Sequence, residues 1–366
     1  MKNISVVGVG RLGLCLALVL EKKGFNILGC DINKEYVDSL NKKSFNSRER
    51  NVTTYLRESK NFKATASIEE AVQHSNIIFT VVRTESEPNG RYDHSQVDNV
   101  VTSLIELGTQ KNTKHFVISC NVSPGYSDTV AKRLEKYNWT VSFNPETVRQ
   151  GAIIQDYMNP SCVYIGTDDE TPRLELEYIH EVITNFRSKI HVMNRVSAEL
   201  TKVSLNCFLT TKISFANMVG DLANKIGADP EKVLAAVGAD RRIGTEYFKH
   251  GFGYGGPCFP RDNRAFIRCA SDNQAAYDLC SASDAINKKH LHFQVEYFIA
   301  NNDIKEPVKM EHVTFKKGTD SLEESQQLKF AIALADSGYK VIISETDTVV
   351  AKLKEDYGDL FVYEKR

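Results

Sequence analysis

Cys258 stands in the run GYGGPCFPRD, residues 253–262, between glycines that expose backbone amides and the charged pair Arg261 and Asp262. Amide dipoles and a nearby cation favour the thiolate, the form of cysteine that attacks carbonyl carbon. Asp262, four residues on, is a candidate acid–base group. Far earlier in the chain, Gly8-Val9-Gly10-Arg11-Leu12-Gly13 has the spacing GxGxxG, with Asp31 following at about the 20 residues expected for an acid at the end of the next strand. In such a turn the first glycine permits a tight bend, the second admits a pyrophosphate to the backbone, and the third packs helix on strand. Asp31 would accept hydrogen bonds from ribose hydroxyls and repel a 2′-phosphate, which favours NAD over NADP. A hydride acceptor together with a nucleophilic cysteine suits oxidation of an aldehyde through a thiohemiacetal to a thioester.

Both groups need elements to hold them. The run ISVV leads into the glycine turn, a helical pattern continues to Leu20, and a second apolar run ends at Asp31. Strand-like runs at 76–82, 114–119 and 140–143 alternate with helical stretches, which predicts a doubly wound parallel sheet. The turn-rich segments after them (83–93, 120–125 and 144–151) fall where such sheets bind ligands, at the carboxyl ends of strands. Apolar residues recur at helical spacing from Val196 to Ile226, predicting one long helix, with Lys202 and Asn206 four apart on one face. Beyond residue 304 the pattern reads strand, loop, helix, strand, short helix, strand, a small α/β domain that has to lean on its neighbours.

At 366 residues the chain is long enough for two or three domains. Its 42% apolar and 25% charged content is that of an ordinary globular protein, and a net charge of -1 gives no reason to expect a nucleic-acid or membrane partner. There is no apolar run of 18 residues, and the start reads as a strand meeting a glycine turn rather than a signal peptide. Eight cysteines without CxxC or Cys/His spacing predict a reduced, cytoplasmic chain and no metal site.

Taken in order, the glycine turn with Asp31, NPETVRQG (144–151), AELTKVSLNCFLTTKISFAN (198–217), DRRIG (240–244), GFGYGGPCFPRD (251–262) and, more weakly, FKKGTDSLEES (315–325) resemble the UDP-glucose/GDP-mannose dehydrogenase family. The resemblance implies an NAD-binding Rossmann domain (1–194), a helical dimerisation domain carrying the cysteine (195–304) and a shortened nucleotide-sugar-binding α/β domain (305–366). It implies a homodimer that oxidises a nucleotide sugar at C6, by default UDP-glucose, to the uronate with two NAD+ per turnover. Cys258 would attack the aldehyde, Lys202 and Asn206 would stabilise the oxyanion, Asp262 would assist proton transfer, and Glu146 would hold the hydrolytic water. Besides Gly8, Gly10, Arg11, Leu12, Gly13 and Asp31, the cofactor would meet Thr84 and Glu146. Substrate contacts would come from Arg149, Lys202, Asn206, Arg242 and Cys258, and from Tyr247, Phe252 and Gly255 in a stretch that closes over the sugar.

Several positions depart from the family pattern. Asn121 stands where the family has a water-placing threonine, and Gln150 replaces an acid, so hydrolysis would rest on Glu146 and Asp262, with Asn121 in the threonine's place. Arg261 replaces a lysine and Glu323 an arginine. Two other functions fit the same residues. One is a single two-electron oxidation of a sugar or hydroxy acid; the other is an NAD-binding regulatory relative without turnover.

Overall fold

The computed structural model describes residues 1–365, which form two compact units, Met1–Lys202 and a second beginning at Val203. The first is built on eight strands: β1 Asn3–Val7, β2 Asn26–Cys30, β3 Phe62–Thr65, β4 Ile77–Thr80, β5 Lys114–Ile118, β6 Trp139–Phe143, β7 Cys162–Gly166 and β8 Lys189–Met193. They lie in the order β8-β7-β6-β5-β4-β1-β2-β3, parallel except where β6 meets β7. β1 and β4 are neighbours although three connections separate them in sequence, so the chain reverses its winding direction between them. A crevice opens at such a switch point beyond the strand ends, and the loops after β1 and β4 lead into it. The apolar strands are buried on both faces, as helix-covered parallel strands must be: Ile4, Val6, Ile77, Phe79, Phe116 and Val117 are all buried. The last two strands escaped the sequence reading. β8 alternates mostly exposed residues and has no apolar run to mark it.

The expected long helix runs from Arg195 to Ile226, 32 residues or about 48 Å. In the second unit, Phe259–Asp272 and Asp278–Asn301 are further helices; the expected domain 195–304 starts eight residues before this unit does, and the described part of the expected domain 305–366 falls within it. A parallel sheet of three strands, β9 Val308–Met310, β10 Val341–Glu345 and β11 Val362–Lys365, follows the predicted alternation. Its core of Val313, Ala331, Leu334, Val341, Ile343 and Leu353 is completed by Leu291, Val295 and Phe298 from the helix before it. A sheet this small buries too little alone, and the helix supplies the missing apolar face.

Candidate active site

In the first unit, Gly8 follows β1 with φ +84, and its amide donates to the Cys30 carbonyl (2.8 Å). A Cβ on Gly13 would lie 3.0 Å from the Gly8 carbonyl carbon and closer still to its oxygen, so only glycine lets the first helix, Arg11–Lys22, start against the turn. Gly10 differs. A Cβ there would meet nothing within 4 Å, so its bareness serves no contact inside the protein. The helix also carries no acid in its first turn, leaving the positive end of its dipole unopposed. Open space, a bare Cα and a helix N-terminus fit a pyrophosphate. Leu12 packs against the core beneath, and Arg11 reaches sideways to Gln150 (Nη1 to Oε1, 3.2 Å). Asp31 stands just past β2, its Oδ1 accepting from the Asn33 amide (3.1 Å). These residues fit NAD.

Thr84 is buried just after β4, and Asn121 is buried in the loop after β5. Glu146 lines a cavity in the first unit together with Asn144, Tyr157 and His180. Burial, followed by the charge of Glu146, pushes the Tyr157 hydroxyl well above the usual phenol range. Burial depresses His180 to about 4, and its Nε2 lies 2.9 Å from Asn144 Oδ1. Arg149 turns back on Asp156 in a bidentate pair (3.0 and 2.7 Å).

In the second unit, Cys258 is exposed at the start of the helix Phe259–Asp272, whose first turn carries both Arg261 and Asp262. Asp262 is fully buried one turn in. Its carboxylate accepts from Asn206 Nδ2 (2.6 Å) and Arg261 Nε (3.1 Å), and its amide donates to the Cys258 carbonyl (2.8 Å). One hydrogen of the Asn206 amide is therefore committed to Asp262, which leaves the other for a substrate oxygen. Lys202 lies one helical turn before Asn206, at the end of the first unit, with no ion pair among the described residues. Tyr247 takes a left-handed φ of +59 and sets its ring edge-on to Phe259, the residue after the cysteine.

Other expected substrate contacts have structural partners of their own. Phe252 packs edge-on to Phe330 in the small-sheet core (5.6 Å), and Arg242 pairs with Asp240 in an exposed turn (2.6 Å). Gly255 lies too close to the Glu324 carbonyl for any side chain, and the Gly256 amide donates to the Glu323 carbonyl (3.0 Å). Glu323, read from sequence as a charge reversal, thus meets the cysteine loop through its backbone.

Two groups escaped the sequence reading. Glu199, buried on the long helix, accepts from the amides of Gly125 and Ser127 (2.6 and 2.8 Å), fixing the loop that carries Asn121. Burial raises its carboxyl to about 6 against the lowering effect of those bonds. Asp221, His250 and His290 meet in the second unit although 29 and 40 residues separate them, too far apart for any short spacing to reveal.

Residues 2–185 match the NAD binding domain of the UDP-glucose/GDP-mannose dehydrogenase family, and residues 196–289 match its central domain. A UDP-glucose 6-dehydrogenase of Pseudomonas aeruginosa is 30% identical over 355 residues, covering 93% of this chain and 78% of that protein. An uncharacterised protein of Methanocaldococcus jannaschii is 34% identical over 270 residues, 72% of this chain but 30% of that protein's length. The structure of a UDP-glucose dehydrogenase from the hyperthermophilic archaeon Pyrobaculum islandicum is similar with a TM-score of 0.90 at 28% identity, covering 100% of this chain and 86% of that one.

Proposed function

The chain belongs to the UDP-glucose/GDP-mannose dehydrogenase family and binds NAD, and from that premise we propose that it oxidises a nucleotide sugar, UDP-glucose first among candidates, at C6 to the uronate. The observation that carries this reading is Cys258, exposed at a helix N-terminus with Asn206 and Asp262 bonded to each other behind it. A binding module has no use for that set. Bound NAD+ supplies the hydride acceptor for both oxidations. Cys258 Sγ adds to the C6 aldehyde to give a thiohemiacetal, loss of a hydride leaves a thioester, and water cleaves the thioester to carboxylate and thiol. Lys202 and the second Asn206 hydrogen stabilise the oxyanion at C6, while Glu146 and Asn121 hold the water. Asp262, buried against Arg261, takes part in proton transfer and keeps Asn206 aimed.

The large sheet and helices contain no helix long and apolar enough to cross a membrane among the described residues. Phe208, Phe215 and Leu222 stand exposed seven residues apart on the long helix, an apolar stripe that suits a homodimer.

The test measures NADH released per UDP-glucose consumed, with product mass, for the unaltered chain and Cys258→Ser. Two NADH and a uronate are expected from the former, and a reaction halted short of the uronate from the latter. Full uronate production by Cys258→Ser overturns the cysteine assignment. One NADH per sugar replaces the proposal with a single two-electron oxidation.

A further inference from the structure

Asp221 lies near the end of the long helix, His250 just before the cysteine loop, and His290 in the middle of the helix Asp278–Asn301. His250 Nε2 is 3.0 Å from Asp221 Oδ1, and His290 Nδ1 is 2.9 and 2.8 Å from the two oxygens of the same carboxylate. One ligating atom from each residue lies within 4.8 Å of the other two.

The second ring nitrogen of His290 makes this cluster informative. His290 is 1% exposed, and its Nε2 lies 2.6 Å from the Gly251 carbonyl. A carbonyl oxygen only accepts, so Nε2 carries the hydrogen. Nδ1 then faces a carboxylate, also an acceptor, across 2.8 Å. Two lone pairs do not face each other at that distance inside a protein, so a positive centre lies between them: a second proton or a metal cation. A backbone carbonyl holding one imidazole N–H is how proteins fix the tautomer of a metal-ligating histidine and aim its other nitrogen. The surroundings are cut to admit the rings. A Cβ on Gly220 would overlap the His250 imidazole, so the long helix gives up a side chain at the position beside Asp221.

We propose that Asp221, His250 and His290 bind one divalent cation of the zinc class, with a water as fourth ligand. Two imidazoles and a carboxylate are a borderline nitrogen and oxygen donor set, which suits zinc and cobalt; calcium and magnesium prefer oxygen alone. Tetrahedral zinc at about 2.1 Å from each ligand spaces ligand atoms about 3.4 Å apart. The two Asp–His gaps of 2.8 and 3.0 Å therefore open by about 0.4 to 0.6 Å on binding. The ion ties three elements together at Gly251, whose amide donates to Asn217 Oδ1 (3.0 Å) and whose carbonyl also accepts from Gln294 (3.2 Å). It is a structural clamp at the root of the loop that leads to Cys258, and it does not depend on the reaction proposed above.

The experiment titrates the chelator-stripped full chain with Co2+ and then displaces it with Zn2+, following the visible spectrum without any sugar or NAD+. One equivalent of Co2+ per chain, with intense tetrahedral bands and no thiolate charge-transfer band, is expected. His250→Ala should weaken Co2+ binding more than about tenfold. Asp221→Asn should do the same, so the site is tested even where one variant misfolds, with circular dichroism reporting folding. Zn2+ should raise the melting temperature of the unaltered chain and not that of His250→Ala. Absence of stoichiometric Co2+ binding, thiolate bands that Cys258→Ser removes, or unchanged affinity in folded His250→Ala each overturns the proposal.

Discussion

Substituting alanine at Gly10 and at Gly13 separates ligand binding from folding within one turn of six residues. At Gly13 the added methyl sits 3.0 Å from the Gly8 carbonyl carbon and 3.3 Å from the Val81 side chain. The nearer obstacle is the Gly8 backbone, which cannot swing away. Overpacking of that kind costs about 1–3 kcal/mol. In a unit of this size each kcal/mol lowers the melting temperature by about 2–4 °C, so Gly13→Ala should melt about 2–12 °C lower. At Gly10 the methyl meets nothing within 4 Å, and φ -64 with ψ -157 suits alanine. The loss there is a helix-cap preference of about 1 kcal/mol or less. What the Gly10 methyl does obstruct is the approach of a pyrophosphate to the first-turn amides. Losing one charge-assisted hydrogen bond costs about 1.5–3 kcal/mol, which is about 10–150-fold in the Kd for NAD+. Calorimetric titration with NAD+ beside differential scanning calorimetry reads both quantities. Gly10→Ala binding NAD+ within about twofold of the unaltered chain refutes the pyrophosphate seat, and an unshifted melting temperature in Gly13→Ala refutes the packing constraint.

Asp262→Asn should cost about 3 kcal/mol in denaturant unfolding, at the low end for a broken buried pair because Arg261 keeps some access to water; a loss below about 1 kcal/mol would show that Asp262 does not organise the cysteine helix. His180 should make the first unit acid-sensitive. It takes a proton near pH 6.5 when unfolded but only near pH 4 when folded, so the unfolded chain binds more protons in that window and stability falls as pH drops from 6.5 to 4. The loss approaches about 3 kcal/mol, partly offset by Glu199, whose raised carboxyl regains stability below pH 6. Comparing unfolding of the unaltered chain with His180→Gln isolates the histidine, and identical pH slopes refute its role.

Features that sequence alone made legible are those whose cause lies within a few residues. The glycine turn, the helix it starts and Asp31 form one continuous segment in which each residue's constraint comes from its neighbours, and the structure places them as their spacing demanded. The long helix was legible for the same reason, a sustained apolar period, to within one residue at its start. The role of Glu199 was not legible, because its partners Gly125 and Ser127 lie more than 70 residues away. Asn206 read as an oxyanion donor, but its tie to Asp262 crosses 56 residues and carries no periodic signal. The glycines around the cysteine read as exposed amides in a stretch that closes over the sugar. The partners that exclude their side chains, Asn287 at Gly253, Glu324 at Gly255 and Phe315 at Gly256, all come from later in the chain.

Those partners change what the cysteine loop is. Asn287 clasps Tyr254 from both sides, its Oδ1 accepting from the Tyr254 amide and its Nδ2 donating to the Tyr254 carbonyl, each at 2.9 Å. Asn217 holds the Gly251 amide, and the Glu323 carbonyl holds that of Gly256. Every one of these ties binds backbone, so the loop is fixed in place whichever way its side chains turn. Glycine is needed where it lets other chain segments come close enough to make them. Cys258 is left as an exposed side chain on a backbone anchored from three elements, with its helix beginning immediately after. In the proposed reaction a nucleophile held this way loses little freedom on meeting a bound carbonyl, because the cost of positioning it was met on folding.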